Sequence, residues 1–304
     1  MDRRRFVRTF ATGSLALASL PSFASGKENK ITILHTNDTH SHIDPFPLDD
    51  KKYPGQGGVN RRKALIDRIR KEEDHVLLLD AGDIFQGTPY FNMHHGELEF
   101  KVMTAMGYDA ATMGNHDFDA GIEGFEKMLP HANFPFLCAN YDFKDTILKD
   151  KTLAFKVFNK GGMKIGVFGV GVELNGLVSK ELYKETNYLD PIEKANYYAN
   201  HLKNEEKCDL VICLSHLGYV PRHNKMCDPV LAENTENIHL IIGGHSHTFL
   251  DEPQMYKNKA GKQVLINQVG WAGLILGRID FYFNTNGDPD LWASNVINTN
   301  YNIG

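Results

Sequence analysis

Leu240–Thr248 reads LIIGGHSHT, an apolar run that leaves through two glycines and then sets down His245 and His247 two residues apart. A continuous apolar run of this length suits a strand buried on both faces. Beyond its end, extended backbone would turn His245 and His247 to one side and Ser246 to the other. Two imidazoles converging past a strand suit a metal ion, whereas separate hydrogen bonds to nearby carbonyls would suit a polar loop. The rest of the chain decides between them.

Similar runs recur along the sequence: ITILHTND (31–38), HVLLLDAGD (75–83), AATMGN (110–115), FPFLCAN (134–140) and TLAFKVF (152–158). MKIGVFGVG (163–171), CDLVICLSH (208–216), KQVLINQVG (262–270) and LILGRIDFYF (274–283) continue the series. Helical patterns lie between them at 57–73, 97–107, 122–129 and 191–207, the last opening on a proline. Strands alternating with helices define an α/β class. No Pro-, Gly- or Ser-rich linker divides the chain after its first 27 residues, so one domain is expected over 28–304.

Polar residues gather where these strands end. Asp38 and His40 follow the first, Asp83 the second, and Asn115, His116, Asp117 and Asp119 the third. His216 closes CDLVICLSH, and His245 and His247 follow LIIGG. Ligands of α/β sheets gather beyond the carboxyl ends of strands. The chain holds 14 histidines, but His75, His94, His95, His131, His201, His223 and His239 stand in polar or helical contexts instead.

Composition narrows the function class. The hydrophobic fraction of 42% and charged fraction of 23% are those of an ordinary globular protein. Residues 1–25 have a basic start, an apolar middle and small residues at Ser22-Phe23-Ala24, the layout of a secretory signal too short for a stable membrane span. Arg3-Arg4-Arg5-Phe6-Val7 is similar to a twin-arginine export signal, implying a periplasmic or otherwise exported protein. Residues 1–24 hold four arginines and one aspartate, so the net charge of −5 becomes about −8 without them. An acidic surface disfavours a nucleic-acid groove, and an anionic substrate would need a local positive site.

Cys138, Cys208, Cys213 and Cys227 form no C-x-x-C pair, which removes a zinc knuckle or redox motif, while a Cys208–Cys227 disulfide stays open. Gly166, Gly169 and Gly171 lack the final glycine of a dinucleotide fingerprint, since Leu174 stands there; close strand packing explains them better. Neither a Walker loop nor a G-x-S-x-G elbow occurs.

The ordered set Asp38-x-His40, Gly82-Asp83, Gly114-Asn115-His116-Asp117, His216 and Gly244-His245-Ser246-His247 resembles the calcineurin-like metallophosphoesterases. Asp119 and Leu137-Cys138-Ala139-Asn140 make the chain similar to the 5′-nucleotidase and UDP-sugar hydrolase branch. The resemblance implies a four-layer α/β/β/α sandwich and two divalent ions, whether Zn, Mn, Fe or Co. It assigns Asp38, His40, Asp83 and His247 to one metal, and Asp83, Asn115, His216 and His245 to the other. It further implies in-line attack of a metal-held hydroxide on a phosphomonoester, with Asn115 and His116 meeting the substrate. His116 would protonate the departing oxygen, oriented by Asp119; other branches carry the acid at the position of Asp117. Asp119 also suits an N-cap of the next helix.

Charge supports the match independently, because two dications and two aspartates leave a net positive site suited to a phosphoryl group. The expected substrate is a small phosphorylated molecule, most simply a nucleoside 5′-monophosphate. Cyclic nucleotides and UDP-sugars are the chemical alternative, and a metal-binding subunit without turnover the alternative of another class. Two-domain nucleotidases carry base-stacking aromatics in a C-terminal domain, which a separate polypeptide could supply here. Phe85, Tyr90, Phe91 and Phe118 follow the metal motifs as leaving-group contacts or packing residues.

Overall fold

The computed structural model describes residues 29–220, 226–283 and 289–298. The leader expected at 1–25, His223 and the end of the chain at 304 lie outside the described residues. Among those residues, the first sheet comprises β1 (Asn29–Thr36), β2 (Val76–Asp80), β3 (Ala110–Ala111), β12 (Ile275–Phe283) and β13 (Pro289–Asn298). They lie in the order β13-β12-β1-β2-β3. The second sheet comprises β5 (Phe155–Lys160), β6 (Met163–Gly171), β8 (Leu210–His216), β9 (Leu240–Gly243), β10 (Gln254–Lys257) and β11 (Gln263–Asn267). Their order is β10-β11-β9-β8-β6-β5, while β4 (Tyr141–Asp142) and β7 (Asn187–Tyr188) pair with each other. The central strands β1, β2 and β3 run parallel, as do β6, β8, β9 and β11. Antiparallel strands flank both sets.

Alternation within the apolar runs builds the layers. Ile31, Ile33, Leu77 and Leu79 point between the sheets and meet Ile165, Val167, Leu210, Ile212, Leu240 and Ile242. The intervening Leu34, Val76 and Leu78 face outward, beneath α1 (Val59–Glu72), α2 (Pro89–His94), α3 (Glu97–Met106) and α4 (Gly121–Met128). The short α5 (Lys180–Tyr183) adds Tyr183 to that layer. On the other side, Phe168, Val170, Val211, Cys213 and Ile241 carry α6 (Pro191–Asn204) and α7 (Asp228–Glu233). The result is an α/β/β/α sandwich in which the central strands are buried on both faces, hence their continuous apolar reading.

Local chemistry sets the helix ends. The Asp190 carboxylate accepts from Glu193 N at 2.8 Å and Pro191 supplies the first turn of α6, a cap worth about 1 kcal/mol. Helix α1 starts at Val59, two residues inside its sequence pattern, because Gly57 and Gly58 adopt φ of 79° and 93°. Gly169 sits where β6 passes Leu137, and a Cβ there would overlap the Leu137 carbonyl oxygen and Thr112 Oγ1. Close packing thus accounts for this glycine.

Several expectations need correction. FPFLCAN (134–140) forms no strand; Phe136 and Leu137 make only single bridges to Ala111 and Leu153. The run at 110–115 shortens to Ala110–Ala111, and β10 was not singled out in the sequence. All four cysteines are free and buried, so Cys208 and Cys227 are not paired. No described helix is long and apolar enough to cross a membrane.

Candidate metal centre

The chain leaves β1, β2, β3, β8 and β9 at one end of the sandwich, where the carboxyl ends of strands from both sheets meet. The loops after β1 and β2 are zipped together: Asp38 N donates to Gly82 O at 2.8 Å, His40 N to Asp83 O at 3.0 Å, and Ser41 N to Ile84 O at 2.9 Å. Asp38, His40, Asp83, His245 and His247 all take left-handed φ, between 46° and 67°. Such backbone is costly for residues with a Cβ and clusters at functional sites. It also corrects the alternation argument, since His245 and His247 do not lie in extended backbone.

Those turns send the two histidines to different clusters. His247 joins Asp38, His40 and Asp83; His245 joins Asp83 and His216. Within each set the potential donor atoms lie within 4.8 Å of one another, and Asp83 belongs to both. Asn115, also buried, places Oδ1 2.8 Å from His245 Nδ1. Gly114 lets the chain pass this point, because a Cβ there would overlap Asp83 Oδ1 and crowd the His216 ring.

The donor chemistry fits cations. His216 Nδ1 donates to Ala81 O at 2.7 Å, which turns Nε2 toward Asp83 Oδ2 at 3.0 Å. That contact lacks the alignment of a hydrogen bond, leaving Nε2 a fully buried atom without a hydrogen-bond partner. Similarly, His40 anchors Nδ1 to Phe85 O at 3.1 Å and brings Nε2 to 3.0 Å from His247 Nε2. Burial would lower the pKa of His216, yet the Asp83 carboxylate overrides it and raises it to about 10. Two buried carboxylates among converging nitrogens therefore call for positive charge, which divalent ions would supply in place of protons. The oxygen and imidazole donors suit Zn, Mn, Fe or Co alike.

His116 stands at the edge of this cluster, its ring 5.3 Å from that of His40 and its backbone N–H donating to Asp83 Oδ1 at 2.8 Å. Its Nδ1 lies 2.8 Å from Asp119 Oδ2. The hydrogen bond to Asp119 is the leading cause of a raised His116 pKa, opposed by burial. Asp119 is therefore not an N-cap, and Ala120 precedes α4 without a side-chain cap. Asp117 points elsewhere, accepting backbone N–H groups from Asp83, Ile84, Phe85 and Gly114 at 2.8–3.2 Å. It pins the loop after β2 to the loop after β3.

Sequence reasoning passed over two supports. Asn37 donates to Asp38 Oδ2 and Gly270 O, both at 2.6 Å. Gln268 donates to Gly244 O at 2.5 Å and accepts from Ser246 Oγ at 3.0 Å and from Thr248 N, clamping the loop that carries both histidines. Gln268 follows β11, a parallel neighbour of β9, so the strand-end rule could have found it. Of the aromatics expected near a leaving group, Phe85, Phe91 and Phe118 are core residues, and Tyr90 donates its hydroxyl to Asp44 at 2.5 Å.

Comparison with known proteins agrees with this architecture. The profile of the Calcineurin-like phosphoesterase family matches residues 31–249. The snake venom 5′-nucleotidase of Gloydius brevicauda is 34% identical over 312 residues, covering 96% of this chain and 51% of that protein. The crystal structure of a 5′-nucleotidase precursor from Thermus thermophilus superposes with a TM-score of 0.81 at 32% identity, covering 88% of this chain and 54% of that one. The NAD nucleotidase of Haemophilus influenzae gives a TM-score of 0.74 at 28% identity, covering 90% and 50%. The chain spans about half the length of the curated relatives it matches. With the family profile covering most of its length, the chain belongs to the calcineurin-like phosphoesterases.

Proposed function

We propose that the chain is an exported two-metal phosphoesterase that hydrolyses phosphomonoesters, specifically nucleoside 5′-monophosphates. The observation that carries the reading is the pair of donor sets sharing Asp83, with His116 and Asp119 beside them. The 5′-nucleotidase relatives support the substrate class. The basic and then apolar first 25 residues support export.

Asp38, His40, Asp83 and His247 would hold one ion, and Asp83, Asn115, His216 and His245 the other. Bound there, divalent cations supply Lewis-acid polarisation of phosphoryl oxygens and a water acidified enough to react near neutrality. The chain's own residues do the rest. Asp83 and Asp38 carry the negative charge that keeps both positions occupied. Asn115 and His116 meet the substrate on the face that leads into α4. Asp119 accepts a hydrogen bond from His116 Nδ1–H and so directs Nε2 toward the ester. Protonated at Nε2, His116 neutralises the departing oxygen.

The same donors would serve pyrophosphate or diester cleavage, a second reading favoured by the likeness to an NAD nucleotidase. Product analysis of AMP, UDP-glucose, NAD and 2′,3′-cyclic AMP incubated with the Mn²⁺-loaded chain separates the two, because only the monoester yields inorganic phosphate at its first cleavage while the others yield nucleotide monoesters. Turnover of AMP above the others, lowered about a hundredfold or more in His116→Ala, supports the nucleotidase reading. Turnover confined to the pyrophosphates or the cyclic ester replaces it. Silence on every ester with two metals bound would overturn phosphoesterase activity for the chain.

A further inference from the structure

Beside the donor cluster, the segment after β1 and the turn after β11 bring several rings together. The Trp271 indole lies parallel to the His247 imidazole, the planes 3° apart and the centroids separated by 5.7 Å. Three rings stand across it: His42 at 5.1 Å and 88°, Phe46 at 5.8 Å and 76°, and Tyr53 at 6.4 Å and 67°. His42 and Phe46 stack on each other at 4.7 Å. Phe249, 39% exposed, extends the group from Tyr53 at 6.5 Å.

None of these rings belongs to the core, and each keeps part of its surface in water. That sets them apart from the fully buried Phe85 and Phe118. Leaving several aromatic rings partly exposed and side by side forgoes some of the stabilisation that full burial would bring, so such a patch marks a binding surface. Its position says what kind. Trp271 stacks on a candidate metal ligand, which makes the patch continuous with the place where a phosphoryl group would sit. An ester oxygen leaving that place is tied through a short sugar to whatever the rings hold. Rings meeting nearly at right angles form a corner rather than a flat apolar face, and a corner suits a small planar group.

We propose that His42, Phe46, Tyr53 and Trp271 seat the nucleobase of the substrate, so that this chain carries its own leaving-group recognition. The inference rests on the phosphomonoesterase reading above. Stacking uses the face that every base has, so the seat discriminates base from no base more than one base from another. AMP, GMP, CMP and UMP are then turned over with similar kcat/KM, while ribose 5-phosphate, the same ester without a base, is poor.

The test compares AMP with ribose 5-phosphate on the Mn²⁺-loaded full chain and on Phe46→Ala and Tyr53→Ala. Each variant should lower the AMP to ribose 5-phosphate ratio of kcat/KM by about tenfold, the order of one base–aromatic stack, through KM rather than kcat. A second readout needs no turnover. The chain has two tryptophans, Trp271 and Trp292. Adenosine should quench the fluorescence of Trp292→Phe and leave that of Trp271→Phe unchanged. Unchanged ratios together with absent quenching overturn the base seat even if AMP is hydrolysed. Quenching at Trp271 without hydrolysis of any ester keeps the seat and overturns the phosphomonoesterase reading instead.

Discussion

His116 Nδ1 and Asp119 Oδ2 lie 2.8 Å apart across a single helical turn, within hydrogen-bond reach. If Asp119 orients His116 for proton donation, removing either should leave metal binding intact and slow turnover. His116→Ala is expected to lower kcat on AMP by about 10²–10⁴-fold, the usual worth of a general acid, and Asp119→Asn by less. Bound metal per chain, measured by elemental analysis, should stay at the wild-type value in both. Loss of metal in His116→Ala would instead make that residue a ligand.

Asp117 predicts the opposite phenotype. Its carboxylate serves backbone N–H groups on two loops, and in Asp117→Ala those donors are left without their acceptor. Each buried donor so stranded costs about 1–3 kcal/mol. The urea midpoint should fall markedly even with chelator present, whereas Asp119→Asn should barely move it.

Asp83 contributes to both donor sets, and His247 to one. Metal content should drop by two equivalents in Asp83→Asn and by one in His247→Ala. Saturating Mn²⁺ should raise the Tm of the wild type, since a ligand at a hundred times its Kd adds about 2.7 kcal/mol. The rise should vanish in Asp83→Asn.

Asp80 gives a pH dependence apart from the metals. It is the last residue of β2 and fully buried, accepting from Thr36 Oγ1 at 2.5 Å and Gly82 N at 2.9 Å. Burial is the main reason its pKa rises from 3.8 to about 7. The native state therefore holds a proton that the unfolded chain has already released above pH 3.8. Its stabilising contribution is complete below the unfolded value and is lost as pH rises through the folded one. Unfolding in urea with chelator should show the Asp80→Asn variant gaining on wild type between pH 5 and pH 8. A constant difference across that range would contradict the assignment.

Gly169 tests the packing of β6 against the Leu137 segment. Since a Cβ would overlap the Leu137 carbonyl, Gly169→Ala should destabilise by about 1–3 kcal/mol or more, read as a lower Tm.

The sequence by itself determined the α/β class, because strands buried on both faces must be continuously apolar and the helices between them amphipathic. It also determined which side chains meet: Asp38, Asp83, Asn115, His216, His245 and His247 close or follow such strands, and parallel strands deliver their ends to one edge. Only the tertiary structure decided how they are shared. Left-handed turns at His245 and His247 send those neighbours to separate clusters, a choice that strand alternation could not supply. Burial separated Asp117 from Asp119, two acids that read alike two residues apart. The ring corner was invisible for a related reason. Phe46 and Trp271 are 225 positions apart, and only the pairing of β1 with β12, together with the turn after β11, brings them within 5.8 Å. Local pattern records what a residue needs from its own element; side-chain partnership across sheets is set by the chain's return path, which no short window contains.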